Sequence, residues 1–268
     1  MKKDRHSKII EIMEKQNTIS IRELAEKLNC TEMTVRRNLD ELQEMNFVKR
    51  ERGYAMLLKP AQPTDYYIQI REHKQEKTAI AMAALSYVHP HQTICLDSGT
   101  TIQLLVDMLP EDIHHLSVIT TSLTASMTLS NNENIQVLIP TGFLHHKNRS
   151  IIFADPDIMK QYQADVAFLS CRSFRVPGGA FEHSQSLTAT KKALASIAQK
   201  RILLLDYSKW GINSLCNSFP LEQIDIIITD NKAPSDSINK IVELGKEIII
   251  VDPEKQSIEK HYNPSSIN

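Results

Sequence analysis

The chain has 268 residues, of which 41% are hydrophobic and 24% are charged, and its formal net charge at pH 7 is −1. This length accommodates two domains, and this composition is that of a soluble globular protein. No stretch approaches the roughly 18 apolar residues of a membrane span, and no signal peptide is visible. The scattered cysteines form no C-x-x-C pair, which favours free thiols over structural zinc and predicts a cytoplasmic location.

The small net charge hides a difference between the two parts of the chain. Residues 1–59 hold 13 Lys and Arg against 10 Asp and Glu, whereas the remainder holds 18 against 22. Only the first part has the positive balance that suits a polyanion, and its excess is small. The positions of the cations are therefore more informative than their number.

Three short helices are predicted at the start of the chain. Ser20 followed by Glu23 is a capping-box pattern, and Thr31 followed by Glu32 is a second helix-start signal. Apolar residues recur at helical spacing around these signals. The predicted helices span about 5–16, 20–28 and 31–45.

The third of these helices has the features of a helix that reads DNA. Val35, Leu39 and Leu42 share one face and are predicted to be buried, while Arg36 and Arg37 lie on other faces. Arginine pairs bidentately with guanine and also binds phosphate. Two short helices of which the second carries exposed cations are typical of a helix-turn-helix. The alternative interpretation is an ordinary three-helix module with a solvated arginine pair.

A β-hairpin, or wing, is predicted over 47–58 with its turn at Arg52 and Gly53. A basic hairpin beside such a helix can reach neighbouring phosphates. The sequence therefore predicts binding to double-stranded operator DNA. The residues expected to take part are Ser20, Thr31, Glu32, Met33, Thr34, Arg36, Arg37, Lys49, Arg50 and Arg52.

An α/β fold is predicted beyond a linker marked by Pro60 and Pro63. After a helix over Tyr66–Val88, near-continuous apolar strands alternate with helices, which indicates a mainly parallel sheet buried on both faces. Strands are expected at Thr93–Leu96, Ser117–Thr120, Ile135–Ile139, Asp165–Leu169, Arg201–Leu205, Asp225–Thr229 and Glu247–Val251. Helices are expected near Thr101–Leu109, Thr124–Ser130, Pro156–Tyr162, Ser186–Gln199 and Ser235–Gly245.

Two loops at strand ends predict an anion site. The run from Asp97 to Thr101 includes Gly99, which permits close approach, and it begins a helix whose backbone N–H groups attract an anion. The run from Asp206 to Gly211 follows another strand, and Lys209 adds a positive charge. The carboxyl ends of parallel strands meet at one edge of a sheet, so these loops are expected to converge. A capped turn without a ligand is the alternative interpretation.

These motifs together resemble those of DeoR-type bacterial transcription regulators. The run from Thr34 to Leu42 is similar to the family pattern T-V-R-R-D-L-x-x-L, with Asn38 in place of Asp. The run 97–101 matches D-S-G-T-T and the run 206–211 matches D-x-S-K-x-G, both in the family's effector domain. That domain resembles ribose-5-phosphate isomerase and CoA-transferase folds. The resemblance covers about residues 5–232.

The resemblance implies a homo-oligomeric regulator, a repressor, whose DNA affinity is changed by a phosphorylated sugar or related metabolite. The predicted division of the chain is a winged helix-turn-helix over 1–58, a linker over 59–75, an effector-sensing and oligomerisation domain over 76–255, and a C-terminal tail over 256–268. The last ten or so residues are expected to be frayed. No cofactor, metal ligand or catalytic residue is predicted. The residues expected to bind the effector are Asp97, Ser98, Gly99, Thr100, Thr101, Thr121, Ser122, Gly142, Lys191, Asp206 and Lys209.

Departures from the family pattern lie around this predicted ligand site. Residues 170–174 read Ser-Cys-Arg-Ser-Phe where the family has an acidic A-D-G-I type segment, and the acidic residue usual before Lys191 is absent. We therefore expect an altered or weakened effector specificity.

Other interpretations stay open at this level. The second domain could serve only for oligomerisation, or it could be a sugar-phosphate isomerase-like enzyme, which would need a carboxylate as general base. The histidine pairs at 114–115 and 145–146 invite a metal site, although adjacent histidines in loops rarely converge. Trp210 is expected to pack rather than to stack on a ligand.

Overall fold

Two compact units make up the chain, Met1–Gln62 and Pro63–Asn268. Half of the helix predicted over 5–16 lies outside the described residues, as do the predicted linker up to residue 65 and the end of the predicted tail. His6, Lys8, Ile9, Ile12 and Met13 are described and are helical. The computed structural model describes residues 6, 8, 9, 12, 13, 16, 18–44, 48–57 and 66–264.

The first unit combines helices with a small antiparallel sheet. The helices are Ile21–Lys27 and Glu32–Glu44. The sheet has the order β1-β3-β2, and the β2–β3 hairpin is the predicted wing. Apolar side chains from both layers form one core, which includes Ile19, Leu24, Val35, Leu39, Leu42, Val48 and Ala55. The strands are β1 (Thr18–Ser20), β2 (Val48–Glu51) and β3 (Tyr54–Leu57).

The second unit is built on an eight-stranded sheet with the order β16-β15-β14-β12-β9-β4-β5-β6. Every neighbouring pair is parallel except β15–β16. The seven predicted strands are all present within a few residues of their expected bounds. The strands are β4 (Thr93–Leu96), β5 (Leu116–Thr120), β6 (Ile135–Leu138), β9 (Ala164–Leu169), β12 (Ala198–Leu204), β14 (Ile226–Asp230), β15 (Glu247–Asp252) and β16 (Ser257–Tyr262).

Helices cover both faces of this sheet, which explains the near-continuous apolar strands. Successive residues of a strand point to opposite faces, so Ile226 and Ile228 join one core cluster and Ile227 joins the other. The first cluster includes residues of the helices Lys74–Leu85, Thr100–Asp107 and Leu123–Leu129. The second includes residues of the helices Gln185–Ser196 and Ser235–Glu243 and of the 3-10 helix Pro156–Gln161. No helix in the described part of the chain is long and apolar enough to cross a membrane.

In the second unit, five short antiparallel strands were not predicted from the sequence. They are three or four residues long, too short for a period of two to stand out. One pair forms a hairpin and the other three form a small sheet in the order β10-β11-β13. The strands are β7 (Gly142–His145), β8 (Ser150–Phe153), β10 (Ser173–Arg175), β11 (Gly179–Glu182) and β13 (Cys216–Phe219).

Two predictions about the ends of this unit are wrong. The helix expected over Tyr66–Val88 is interrupted, because His73 adopts a left-handed conformation (φ 52°) between Tyr66–Gln69 and Lys74–Leu85. The last part of the expected linker is therefore folded into the second unit. The expected tail from residue 256 instead contains β16, which pairs with β15.

Candidate functional site

The helix Glu32–Glu44, here called the recognition helix, buries the predicted apolar face. Val35 and Leu39 are fully buried and Leu42 nearly so, which confirms that prediction. The Thr31 hydroxyl accepts a hydrogen bond from the Thr34 backbone N–H at 3.3 Å and so caps the first turn. The family-atypical Asn38 is buried and donates to the Thr34 carbonyl at 2.6 Å, which gives it a structural role inside the helix.

The arginine pair lies on the exposed side of the recognition helix. The Arg36 and Arg37 side chains are 52% and 72% exposed and form ion pairs with Glu32 (3.3 Å) and Glu41 (3.8 Å) one turn away. Exposed pairs of this kind contribute little to stability, so both guanidinium groups can exchange these partners for phosphates or bases. Met33 is 81% exposed beside them.

The other side chains predicted to contact DNA differ in whether residues of the same unit already engage them. Arg50 is engaged within the module, since its guanidinium pairs with Asp40 of the recognition helix and its backbone N–H donates to Gln43 Oε1 at 2.9 Å. Lys49 pairs with Glu51 at 2.8 Å across exposed surface, and Arg52 is exposed at the wing turn. The Ser20 hydroxyl accepts from the Glu23 backbone N–H at 3.1 Å, which confirms it as the N-cap of Ile21–Lys27.

A pocket lies in the second unit, where loops follow the carboxyl ends of β4, β9 and β12. The helix Thr100–Asp107 begins at this pocket after Gly99, which has no side chain to cap it, so its first turn starts without a side-chain cap. A Cβ at Gly99 would lie 2.7 Å from the Cβ and Oγ of Ser170, so only glycine permits this approach of the two loops.

Lys191 lies at the centre of a buried charge cluster beside the pocket. Its Nζ is 2.7 Å from Asp97 Oδ2 and 2.8 Å from Glu182 Oε1, and it donates to the Ser170 carbonyl at 2.8 Å. Lys191 is 5% exposed and both carboxylates are less exposed still. Three donors are all that a lysine ammonium has, so these contacts occupy Lys191. It holds the two carboxylates in place and has no donor left for a ligand in this arrangement.

The electrostatics of this cluster keep Lys191 protonated. Burial by itself lowers the pKa of the Lys191 ammonium, but the charges and hydrogen bonds of Asp97 and Glu182 outweigh burial, and the net pKa is raised. Burial lowers the pKa of the neighbouring His183 imidazole, although Glu182 opposes this shift. The pocket therefore presents a neutral imidazole beside a fixed lysine cation at neutral pH.

Asp206 is fully buried at the end of β12. Its Oδ1 accepts from the backbone N–H and the hydroxyl of Ser208, which caps the short 3-10 helix Tyr207–Lys209. Its Oδ2 has no hydrogen-bond partner among the described residues. Lys209 completes this side of the pocket.

Most, but not all, of the predicted effector-binding residues converge. Ser98, Gly99, Thr100, Thr101, Lys191, Asp206 and Lys209 line the pocket, and Asp97 lies behind them against Lys191. The other three predicted residues do not line it. Thr121 is buried at the end of β5, Ser122 caps the helix Leu123–Leu129, and Gly142 lies in β7, where a Cβ would meet the Ile152 carbonyl at 2.1 Å.

The sequence prediction missed one acidic residue in particular. Glu182 lies in β11, a strand that was not predicted, and it places a carboxylate beside Lys191. The two places where the family has an acidic residue, within 170–174 and before Lys191, carry none in this chain. Nothing in the sequence around Glu182 indicates this position, because it depends on the pairing of β10 with β11. Other lining residues that were not predicted are Tyr66, Gln69, Asn148, Ser170, Cys171, Arg172, His183, Leu204 and Leu205.

Two minor predictions can also be compared with the structure. Trp210 packs edge-on against Phe174 at a centroid distance of 4.9 Å and its Nε1 donates to Thr229, which confirms a packing role. Within the described part of the chain, no group of three or more His, Cys, Asp or Glu side chains is arranged to hold a metal.

Family models match both units. Residues 5–61 match the DeoR-like helix-turn-helix domain, and residues 72–231 match the DeoR C-terminal sensor domain. The chain belongs to the DeoR family. It is a DNA-binding transcriptional regulator.

Relatives match along nearly the whole DeoR-family chain. The HTH-type transcriptional regulator GolR of Listeria innocua is 30% identical, over 93% of this chain and 98% of its own. The glycerol-3-phosphate regulon repressor of Escherichia coli is 28% identical, over 86% of this chain and 91% of its own. Among solved structures, ribose 5-phosphate isomerase A of Neisseria gonorrhoeae aligns with a TM-score of 0.38 and 16% identity over 50% of this chain and 52% of its own. A likeness at that level supports no conclusion about activity.

Proposed function

We propose that this DeoR-family chain is a cytoplasmic, homo-oligomeric repressor that is controlled by a phosphorylated sugar or polyol bound in the second unit. The observation that carries the proposal is the meeting of the uncapped helix start at 98–101 with Lys209 in one pocket. Such a helix start attracts phosphate, and a lysine adds a point charge. The name of the glycerol-3-phosphate regulon repressor, which is a relative, agrees with this ligand class.

The ligand half of the proposal is tested by thermal unfolding. The full chain is heated with inorganic phosphate, glycerol 3-phosphate, glucose 6-phosphate, fructose 6-phosphate or fructose 1,6-bisphosphate. A ligand that binds only the folded state stabilises it by about 2.7 kcal/mol at a hundred times its Kd. We expect at least one compound to raise the midpoint in the wild type and to do so less in Lys209→Ala. If no compound raises the unfolding midpoint of the wild type, the alternative that the second unit serves only for oligomerisation is favoured.

The DNA half of the proposal is tested with the recognition helix. Operators are recovered from genomic DNA bound by the full chain, and their Kd is measured by fluorescence anisotropy. Arg36→Ala should weaken operator binding by about tenfold or more, because a base-contacting arginine contributes about 1–3 kcal/mol and a tenfold change is about 1.4 kcal/mol. The control is Lys160→Ala, which removes an exposed cation from the second unit. Equal operator affinity in wild type and Arg36→Ala would remove this arginine from the interface.

No observation favours the enzyme alternative. Catalysis by an isomerase requires a carboxylate free to accept a proton from the substrate. Asp97 and Glu182 are both held by Lys191 as ion-pair partners. Asp206 is the pocket carboxylate that keeps an oxygen, Oδ2, without a hydrogen-bond partner among the described residues. A turnover assay with the same sugar phosphates, on wild type and on Asp206→Asn, tests this alternative. We expect no product above background from either, and isomerisation by wild type that is lost in Asp206→Asn would contradict the proposal.

A further inference from the structure

Part of the pocket wall comes from residues that neither family model covers. The helix-turn-helix match ends at residue 61 and the sensor match begins at residue 72. Tyr66 and Gln69 lie between these matches, and both line the pocket. We call residues 66–73 the wall segment.

Lys77 holds the end of the wall segment in place. Its Nζ donates to the Gln69 carbonyl at 2.6 Å and to the Glu72 carbonyl at 2.8 Å. A helix as short as Tyr66–Gln69 leaves its last carbonyls without partners of its own, and a lysine can satisfy them. Lys77 is 1% exposed, and a lysine is rarely buried to this extent unless its ammonium has partners.

The charge of Lys77 is linked to the pocket itself. Burial lowers the pKa of Lys77 to about 8, and the negative charge of Asp206 acts against that shift. Asp206 is a pocket residue whose Oδ2 has no hydrogen-bond partner among the described residues. Because a bound molecule would alter the surroundings of Asp206, it would also alter the field at Lys77.

Three further contacts hold the wall segment and its neighbour Glu76 against other elements of the second unit. The His73 ring meets the ring of Tyr207, in the pocket loop that follows β12, at a centroid distance of 4.9 Å. The Tyr66 hydroxyl lies 3.0 Å from Thr124 Oγ1 of the helix Leu123–Leu129, and Glu76 forms a 2.7 Å ion pair with Lys232, which follows β14. The wall segment therefore contacts one of the pocket loops directly, through His73.

The Gln69 side chain is the part of this wall that suits a ligand. Its backbone carbonyl is used by Lys77, but its side-chain amide makes no hydrogen bond to another described residue. An amide offers two donors and an acceptor, which suits hydroxyl groups. The helix start and Lys209 suit the phosphate group of a ligand. The Gln69 amide is therefore available to the hydroxyl-bearing part of the same ligand.

We propose that Gln69 binds the hydroxyl-bearing part of the ligand, and that ligand binding is transmitted through the wall segment, which Lys77 positions. The proposal rests on the proposed function, because it concerns the same pocket. It adds a ligand contact from outside the sensor match and assigns the coupling to residues 66–77. Coupling requires that the ligand binds two states of this segment with different affinity.

The ligand contact is tested by calorimetric titration of the full chain with inorganic phosphate and with the tightest-binding sugar or polyol phosphate of the thermal panel. Gln69→Ala should weaken binding of that compound about tenfold, as the loss of one hydrogen bond to a hydroxyl group predicts. Binding of inorganic phosphate should not change. The control is Gln199→Ala, which truncates an exposed glutamine of β12. Equal affinity in Gln69→Ala and wild type overturns the contact.

The coupling is tested by measuring operator Kd with and without the same compound. In Lys77→Met the compound should bind within about threefold of wild type, whereas its effect on operator affinity should be lost. A merely structural role would reduce both quantities together. Wild-type amide hydrogen exchange gives the same test without a substitution, since the compound should change the exchange of residues 66–73.

The outcomes separate this inference from the proposed function. If wild type binds no compound and no phosphate, the proposed function fails and this inference fails with it. If wild type binds but Lys77→Met keeps the full change in operator affinity, or exchange at 66–73 is unchanged, only the coupling through the wall segment is overturned.

Discussion

At the scale of single residues, the partners of the buried charged side chains were the hardest feature to predict from the sequence. The position of Lys191 was predicted, but as a ligand contact. The structure instead surrounds its ammonium with Asp97, Glu182 and the Ser170 carbonyl, all within 2.8 Å. A buried cation between two carboxylates contributes to stability mainly as their ion-pair partner, because its removal leaves two negative charges unpaired in a medium of low dielectric constant.

Lys191→Met should therefore destabilise the second unit strongly. Removal of one partner from a buried ion pair typically lowers the free energy of unfolding by about 3–5 kcal/mol. The adjacent Lys192 is exposed, so Lys192→Met removes the same charge without touching the cluster and should have little effect. Urea unfolding of the two variants measures the difference. Similar midpoints for both would show that the cluster contributes no net stability.

The four cysteines should differ sharply in reactivity. Burial raises the pKa of the Cys95 and Cys171 thiols to about 12, so at pH 8 only about one in ten thousand of these groups is a thiolate. Cys30 and Cys216 are only partly buried. Iodoacetamide treatment of the folded chain followed by peptide mass spectrometry should label Cys30 and Cys216 first. Labelling of Cys95 at the same rate would contradict the burial of β4.

At the scale of elements, predictability follows the strength of the periodic signal. The long parallel strands were predicted because their apolar runs reflect burial on both faces of the sheet. The antiparallel strands around the pocket, β10 and β11, were missed because each is short and is defined by its partner rather than by its own sequence. Glu182 lies on β11, so the missed strand and the missed site residue have one cause. The helix break at His73 was missed because nothing near it, neither Gly nor Pro, marks a left-handed residue.

The strand β16 gives a direct test at this scale. It covers the edge of β15, whose residues 248–251 are isoleucine and valine. An uncovered apolar edge lacks its hydrogen-bond partners and tends to recruit other strands. A chain ending at Gln256 should therefore unfold at lower temperature and aggregate, as seen by light scattering during heating. A chain ending at Pro264 keeps β16 and should behave like wild type, and equal behaviour of both truncations would contradict a structural role for the strand.

At the scale of the whole molecule, the two units differ in the sign of their net charge, which matches the expected difference in their roles. The positive balance lies within the first 59 residues, while the rest of the chain is net negative. Operator affinity should therefore depend on the first unit for its phosphate contacts, and the second unit should neither add nor screen many of them. The family membership of each unit agrees with that division.

The salt dependence of operator binding measures this division. When log affinity is plotted against log salt concentration, the slope is negative, and its magnitude falls by about 0.9 for each phosphate contact that is removed. Arg52→Ala, at the exposed wing turn, should reduce the slope by about one contact and weaken different operators equally. Lys160→Ala in the second unit should leave the slope unchanged. A slope that falls equally in both variants would place DNA contacts in the second unit.

The position of β16 after β15 in the chain also fixes an order in which this edge of the sheet can close. β15 is synthesised before β16, its outer neighbour in the sheet, which occupies Ser257–Tyr262. Until β16 has been made and has paired, the apolar edge of β15 is open beside the growing chain. Synthesis interrupted before residue 257 should therefore give a product whose sheet edge stays open and recruits other strands.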